Sequence, residues 1–306
     1  MSESEKIKDT QPDKLIHGIA ADGTVRCVAA ITTETVREAA VRHQTAQTAT
    51  AAFGRLLTGT LLLGATYKDF DRLTVRLEAQ GIIEGIVAEA NSKGGVRGYV
   101  KNPLADAPLN QAGKYDVRAI VGDGMFYVTR EAGYDIGLYR DPYQGSVPIV
   151  SGEIGEDFAY YLAKSEQIPS AVLIGVLINP ARNEVLAAGG VLIQMMPGAD
   201  ENIIAEIERA IISAPATTTA IREGATPIDL LKNALGQVEF EVLEEKTIGY
   251  QCNCSYERAV SLISAIDRAE LESMLREDQG ATLTCHFCNN NYTLDAAQLE
   301  EILTQK

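Results

Sequence analysis

Four cysteines stand in two close pairs towards the end of the chain, and their type and spacing suit metal chemistry. Cys252 and Cys254 enclose one residue, Cys285 and Cys288 enclose two, and 30 residues separate the pairs. Zn²⁺ binds thiolates at about 2.3 Å in a tetrahedron, and two short pairs are the usual way to supply four ligands. The pattern predicts one zinc ion per chain, with no open position on the metal for a substrate water.

Spacing alone leaves three interpretations of this site open. A permanent zinc clip would hold a domain of about 60 residues, which is small enough to need one. A redox switch would join sequence neighbours, Cys252 to Cys254 and Cys285 to Cys288, on oxidation. The first bond would be strained and easily reduced, because residues two apart in an extended chain lie about 6.6–7.2 Å apart. A thiol oxidoreductase would instead need Cys285 and Cys288 free of metal.

The remaining cysteine and the three histidines are expected to carry no chemistry. His286 lies within the second cysteine pair and is interpreted as a solvated residue, with a fifth ligand or a proton partner to the thiolates as the alternative. Cys27 stands alone in a β-rich run and is expected to be an inert core thiol. His17 and His43 have no partner at motif spacing and are expected on the surface or in packing.

No other motif predicts an enzyme. The sequence contains no phosphate-binding P-loop, no nucleophile elbow and no H-E-x-x-H zinc motif. Glu153, Glu156 and Asp157 cluster at a predicted helix start, where acidic side chains are favoured by the helix dipole. We therefore expect a structural role for these carboxylates and no catalytic residues.

The charge of the chain is acidic and unevenly distributed. The formal net charge is −15, and residues 199–306 hold 19 acidic and 8 basic side chains. Because phosphate binding needs Lys and Arg, no nucleic-acid partner is expected. The polar start of the chain lacks the apolar segment of a secretory signal, and no apolar run is long enough to span a bilayer. We expect a cytoplasmic protein without a membrane partner, in a compartment where clustered thiols are metal ligands or redox devices.

Residues 1–198 predict an α+β domain, because helices come early and many short strands follow at hairpin spacing. Helices are predicted at 33–44, 48–68 and 153–165. Strands are predicted at 24–31, 72–78, 82–90, 96–100, 115–121, 125–130, 171–178 and 185–195. Gly122-Asp123-Gly124 is interpreted as the hairpin turn between 115–121 and 125–130.

Residues 199–245 predict a helical linker. Asp200 is a suitable N-cap for one amphipathic helix, and Thr226-Pro227-Ile228-Asp229 is a strong start for a second. The stretch 213–219 between them is interpreted as polar and non-helical. Short helices without a core of their own are marginal in water, so we expect both to dock on another surface and to be able to undock.

Residues 246–306 predict the small zinc-binding domain. A strand or extended arm at 237–247 leads into it. Helices are predicted from Ser255 and after the capping residue Asp267, and a closing helix at 294–303. A hairpin at 282–292 is expected to present the second cysteine pair.

With the cysteine spacing established, the sequence resembles the redox-regulated heat-shock chaperones of 33 kilodaltons, also called 33 kDa chaperonins. The C-x-C and C-x-x-C pairs resemble the signature of that family, and the likeness extends from about residue 15 to 303. Its further motifs are Gly54-Arg55-Leu56-Leu57, Arg97-Gly98-Tyr99-Val100 with Asn102-Pro103, Tyr143-Gln144-Gly145, Gly152 to Asp157 leading to Ser165-Glu166-Gln167, and Ala188-Gly189-Gly190 with Gln194 and Pro197-Gly198.

The resemblance implies an ATP-independent holding chaperone, not an enzyme. It implies that the reduced protein holds Zn²⁺ with Cys252, Cys254, Cys285 and Cys288 and is inactive. Oxidants such as peroxide or hypochlorite, often with heat, would convert each pair to a disulfide and expel zinc. The linker and C-terminal domain would then lose structure and expose hydrophobic surface. The 1–198 domain would form a homodimer and bind unfolded client proteins, protecting them from aggregation.

Overall fold

The chain divides into two compact units, Met1–Gln251 and Cys252–Lys306. In the described residues of the first unit, eleven strands form two sheets. The computed structural model describes residues 12–68, 70–132 and 141–305. The strands of this unit are β1 Lys14–Ala20, β2 Val25–Ile31, β3 Arg72–Ala79, β4 Gly85–Ala90, β5 Gly95–Val100, β6 Gly124–Glu131, β7 Tyr143–Pro148, β8 Ser170–Asn179, β9 Glu184–Met195, β10 Phe240–Thr247 and β11 Gly249–Tyr250.

The two sheets confirm the predicted α+β class with antiparallel pairing. One sheet has the strand order β10-β1-β2-β9-β8, and the other β11-β5-β4-β3-β6-β7. All their ladders are antiparallel except the short pairing of β11 with β5. β10 and β11 come from the region just before the cysteines, so this part of the chain completes an edge of each sheet.

A long buried helix lies against both sheets. The helices of the first unit are α1 Thr33–His43, α2 Gln47–Gly64, α3 Val117–Val121, α4 Gly155–Tyr161, α5 Glu201–Ser213, α6 Thr217–Arg222 and α7 Pro227–Leu235. α2 contacts β4 and β5 as well as β8 and β9, and it is buried along nearly its whole length. Such all-round burial explains its apolar sequence. No helix in the described part of the chain is long and apolar enough to cross a membrane.

The strand predicted at 115–121 is wrong, because Val117–Val121 forms α3. Asp116 caps this helix by accepting the N–H of Ala119 at 3.0 Å. Val117, Ile120 and Val121 are all buried, and their spacing matches one helical face. The hairpin predicted at Gly122-Asp123-Gly124 is therefore also wrong: this turn joins α3 to β6.

The segment 199–245 contains three helices, not the two predicted. The additional helix, α6, lies in the stretch interpreted as polar, where three consecutive threonines have low intrinsic helix propensity. Ala220 is buried and Ile221 packs beside it in the same apolar cluster. Packing against the sheet compensates for the weak helix propensity of α6. Local sequence alone does not predict this packing.

The linker helices cover one face of the five-stranded sheet. Ile207 of α5 and Leu230, Leu231 and Leu235 of α7 are buried there. The sheet side of this cluster consists of Ile16, Ala20, Val25, Cys27, Ala29, Val191 and Ile193. Both helices thus have the docking surface that their amphipathic sequences require. The three-part division of the chain at 198 and 245 remains a prediction beside the two units observed.

The second unit is small and has one apolar cluster. It contains α8 Tyr256–Ala265, α9 Arg268–Glu277, the hairpin β12 Gly280–Thr284 and β13 Asn291–Asp295, and α10 Ala296–Thr304. Ser255, Asp267 and Asp295 each cap the helix that follows by accepting a backbone N–H. The cluster consists of Ile263, Leu271, Leu294, Leu299, Ile302 and Leu303. The helices and hairpin predicted for this region are confirmed within a few residues.

Candidate metal centre

The first cysteine pair lies on the extended segment that precedes α8. The Ser255 side chain accepts the N–H of Arg258 at 3.3 Å and so starts the helix directly after Cys254. The Arg258 guanidinium in turn donates to the carbonyl of Asn253 at 2.7 Å. The first turn of α8 therefore fixes the backbone between Cys252 and Cys254.

The second pair lies in the turn of the β12–β13 hairpin. Cys285 donates its N–H to the carbonyl of Asn290 at 2.9 Å, which closes the turn. The carbonyl of Cys285 accepts the N–H groups of Cys288 at 3.2 Å and Asn289 at 2.7 Å. Asn289 has a φ of 56°, a left-handed conformation that Asn tolerates better than most residues. This tight turn brings the sulfurs of Cys285 and Cys288 to the same side.

The four sulfurs meet in one cluster, within 4.8 Å of one another. Cys252 lies 3.4 Å from Cys254 and 3.7 Å from Cys285, and Cys254 lies 3.2 Å from Cys288. A tetrahedron of sulfurs around a metal at about 2.3 Å has edges of about 3.8 Å. The cluster matches these dimensions closely enough that the four cysteines are positioned to bind a metal ion. Four soft thiolates fit zinc and leave its coordination shell closed.

Hydrogen bonds favour ionisation of one thiol of the cluster. Burial acts to raise the pKa of Cys254, but hydrogen bonds from Tyr292 and the neighbouring thiols lower it to about 7. The phenol of Tyr292 donates to this sulfur at 3.0 Å. Burial raises the pKa of Cys252 and of Cys288. Without a positive charge among them, the four thiols cannot all ionise easily, so a bound cation is the natural partner of this site.

Tyr292 is the residue of the site that sequence reasoning missed. It lies on β13, opposite Leu283 of β12. Its position four residues beyond Cys288, on the returning arm of the predicted hairpin, was the available signal. Because the partner of a metal ligand commonly fixes its orientation and tunes its affinity, Tyr292 belongs with the four cysteines in the candidate site.

The remaining residues considered from the sequence do not join the cluster. His286 is exposed and is not part of the four-sulfur group. Cys27 is fully buried in the first unit, and burial raises the pKa of its thiol to about 12, which confirms an inert core residue. His43 packs edge-on against Phe53 and shares a hydrogen bond of 3.2 Å with the hydroxyl of Tyr250.

The carboxylates near α4 have structural contacts. Asp157 is fully buried and accepts the backbone N–H groups of Val150, Ser151 and Ile154 at 2.8–2.9 Å. Glu153 forms an ion pair with Arg55 of α2. These interactions explain the acidic motif as the anchor of a turn and agree with the structural role expected for it.

Comparison with known proteins gives one consistent result. The sequence model of the Hsp33 protein family matches residues 13–295. The 33 kDa chaperonins of Staphylococcus aureus strains JH9 and Newman are each 45% identical to this chain over 292 residues, which cover 95% of this chain and 98% of the relative. The crystal structure of the 33 kDa chaperonin (heat shock protein 33 homologue) of Thermotoga maritima matches with a TM-score of 0.88 and 35% identity, over 96% of this chain and 99% of that chain.

Proposed function

We propose, from the premise that this chain belongs to the Hsp33 protein family, that it is a chaperone whose capacity to hold unfolded proteins is switched on by oxidation of the four-cysteine centre. The family supports the chaperone activity. The observation that supports the switch is the gathering of four sulfurs from two distant segments into one cluster within 4.8 Å. The cytoplasm is the proposed compartment, because the resting thiols require a reducing environment.

In the reduced protein, we assign the metal ligands to Cys252, Cys254, Cys285 and Cys288. Zinc, when bound there, supplies a cross-link between the start of α8 and the β12–β13 hairpin and keeps all four sulfurs as thiolates. Since the second unit has one apolar cluster of six buried residues, this cross-link is a large part of what holds it folded.

Oxidation removes the ligands. Two thiolates lose two electrons to one peroxide, which takes up two protons from solvent and is reduced to two waters, and one S–S bond forms; two peroxides convert both pairs, and the Zn²⁺ is released. We propose Cys252–Cys254 and Cys285–Cys288 as the products, from their proximity in sequence. The sulfurs of Cys254 and Cys288, which belong to different pairs, lie 3.2 Å apart, nearer than the 3.4 Å between Cys252 and Cys254. Peptide mapping of the oxidised protein is therefore the direct test of the pairing.

Unfolding of the second unit would then affect the strands that precede it in the chain. β10 ends at Thr247 and β11 at Tyr250, shortly before Cys252, and each forms one edge of its sheet. If β10 leaves the sheet, α5 to α7 lose part of their support, and the apolar cluster that contains Leu231 and Ile193 becomes accessible. That newly exposed apolar surface is the proposed binding site for unfolded clients and for a second copy of the chain, without a requirement for ATP.

The test follows zinc, thiols and client binding in one sample. Reduced protein is expected to contain one zinc per chain and not to prevent aggregation of a chemically unfolded test protein. Peroxide with mild heat is expected to release the zinc, remove four thiols and suppress aggregation, and dithiothreitol with zinc to reverse all three. Zinc retained after peroxide, or released without suppression of aggregation, would contradict the proposal and favour a permanent clip. Metal-free thiols in the reduced protein would favour an oxidoreductase.

A further inference from the structure

A cavity of about 350 Å³ lies within the first unit, beside the β10 edge of the five-stranded sheet. Its walls are the end of α2 with the residues that follow, the turn between β4 and β5, and strands β1, β2 and β10. The apolar part of the lining consists of Leu15, Leu61, Phe70, Leu243 and Ile248. The volume and the mixed lining are typical of small-molecule sites, which start at about 300 Å³.

The polar part of the lining is positively charged, although the chain as a whole has a net charge of −15. Among the described residues of the lining, three are basic, Arg26, Lys68 and Lys246, and one is acidic, Glu244. Lys246 lies 3.0 Å from the Glu244 carboxylate and donates to the carbonyl of Ser92 at 3.1 Å. The Arg26 guanidinium is held by the carbonyl of Thr66 and the side chain of Gln194. Arg26 and Lys246 are thus held at the cavity by the fold, and Lys68 is an exposed residue of its lining.

His17 adds a buried polar atom that has no partner. Its Nε2 is buried and has no hydrogen-bond partner among the described residues. Burial and the nearby charge of Arg26 lower the pKa of His17, against the opposing effect of Glu244, and so favour the neutral imidazole. A neutral imidazole protonated on Nε2 is a hydrogen-bond donor. In the tautomer with its proton on Nε2, His17 would offer a hydrogen-bond donor to a ligand with acceptor oxygens.

We propose that this cavity binds a small organic anion, with its carboxylate or phosphate group beside His17, Lys68 and Lys246 and a short apolar tail along the apolar lining. The head group would receive charge-assisted hydrogen bonds, which are the strong ones in proteins. The apolar walls would exclude water from the tail and favour an anion of several carbons over a bare inorganic one.

A bound anion would also hold β10 in place. Leu243, Glu244 and Lys246 belong to β10, so one wall of the cavity exists only while this strand is paired with β1. A ligand that binds only the paired form stabilises it by mass action. This consequence concerns the reduced protein and does not depend on oxidation as the activating signal.

Binding is tested by titrating the reduced, zinc-loaded full-length protein in a calorimeter. The probes are octanoate, octyl phosphate, the neutral octanol and inorganic phosphate. Octanoate or octyl phosphate is expected to bind saturably, and the tighter of the two identifies the head group. Octanol and inorganic phosphate are each expected to bind at least tenfold more weakly. Equal affinity for octanol, equal affinity for inorganic phosphate, or no saturable binding of either octyl anion would overturn the proposal.

Matched variants locate the site. The double variant Lys68→Gln with Lys246→Gln is expected to weaken binding of the octyl anion about tenfold or more, and Ala65→Leu, which fills the cavity but keeps its charges, to abolish it. Lys14→Gln is the control, because Lys14 is a neighbouring lysine that pairs with Glu245 and does not line the cavity. Loss of affinity in the control equal to that in the double variant would overturn the assignment.

Hydrogen exchange tests the effect on the strand. A saturating octyl anion is expected to slow exchange of the β10 amides at least tenfold and to leave the β12–β13 hairpin unchanged. The Ala65→Leu variant reports whether such slowing comes from the cavity, since it is expected to lose the effect. Tight binding with unchanged β10 exchange would overturn the proposed coupling.

Discussion

The two units of this protein are stabilised in different ways. The first unit encloses a helix, α2, whose side chains are almost all buried against two sheets. The second unit buries six apolar residues in one cluster and gathers four sulfurs in another. Apolar burial increases with domain size, so a small unit gains little from its core and much from a cross-link. From this difference we expect that one chemical change at sulfur unfolds the second unit and leaves the core of the first.

Removing two ligands is expected to have the largest effect. Cys285→Ser with Cys288→Ser leaves the metal with one pair, and a structural zinc contributes about 10–16 kcal/mol of apparent folding free energy in small zinc modules. We expect the second unit to unfold, which fast hydrogen exchange at Leu271 and Leu294 would report. The amides of β2 and β9 in the first unit are expected to remain protected.

Cys27→Ala provides the matched cysteine control. Cys27 is buried in the first unit, so this substitution is expected to cost that unit about 1–2 kcal/mol and to leave metal content unchanged. If the double serine variant kept a protected second unit, the metal would not be what holds that unit together.

The next largest effect is expected from substituting a buried residue of the linker helices, which should lower the stability of the first unit only. Leu231 of α7 is fully buried against the sheet, and Leu231→Ala is expected to lower the free energy of unfolding by about 2–5 kcal/mol. Chemical denaturation and zinc titration of the same samples would measure stability and metal affinity together. Metal affinity is expected to stay unchanged.

Ile212→Ala is the matched control in the same segment. Ile212 of α5 is 83% exposed, so its loss is expected to change stability by less than about 0.5 kcal/mol. Equal effects of the two substitutions would mean that the linker helices do not depend on the sheet face they cover.

Local sequence patterns correctly predicted the elements whose formation depends mainly on residues close in sequence. The cysteine pairs predicted the metal centre because ligand type and spacing suffice for that inference. The helices α5 and α7 followed from Asp200 and from the Thr226–Asp229 capping box, which the structure shows with both hydrogen bonds formed. Where a capping residue and the apolar face predict the same helix, local sequence is enough to predict that helix.

Contacts distant in sequence decided the parts that were missed. The segment Val117–Val121 is rich in β-branched residues, which predict a strand. It forms helix α3 instead, because Asp116 caps it and its apolar side chains are buried on one helical face. The threonines of α6 are helical because Ala220 packs on the sheet. Tyr292 reaches Cys254 through the register of a hairpin that only the folded chain reveals.

Substitution of Tyr292 is expected to have a smaller effect, on the metal affinity of the second unit. Tyr292→Phe removes the hydroxyl that donates to the Cys254 sulfur at 3.0 Å. Loss of such a partner to a metal ligand typically costs 10–100-fold in metal affinity, so competition with a zinc chelator is expected to show a shift of about this size. Tyr256→Phe, at an exposed tyrosine on α8, is the control and is expected to show none. Equal affinities for Tyr292→Phe and wild type would exclude the phenol from the site.

The smallest expected effect is a pH dependence in helix α7 of the first unit. Hydrogen bonds from the Thr226 side chain and backbone lower the pKa of the Asp229 carboxyl below its usual value near 3.8. A lowered folded-state pKa means that the carboxylate stabilises the helix above the unfolded pKa, and that this contribution is lost as pH falls through the folded one. Asp229→Asn is therefore expected to destabilise α7 by a few tenths to about 1 kcal/mol at pH 7, and by progressively less below about pH 4.

Hydrogen exchange at Ala234 and Leu235 is compared between variant and wild type at each pH. These amides report on α7, so the effect is separated from acid release of the zinc proposed for the second unit. Lys232→Gln is the control, because Lys232 lies 4.0 Å from Asp229 on an exposed surface and its pair is worth at most a few tenths of a kcal/mol. A variant that differs from wild type equally at pH 3 and pH 7 would show that the charge of Asp229 does not stabilise the helix. The stability of α7 would then come from its buried face alone, and any acid sensitivity of this protein would be expected in the second unit.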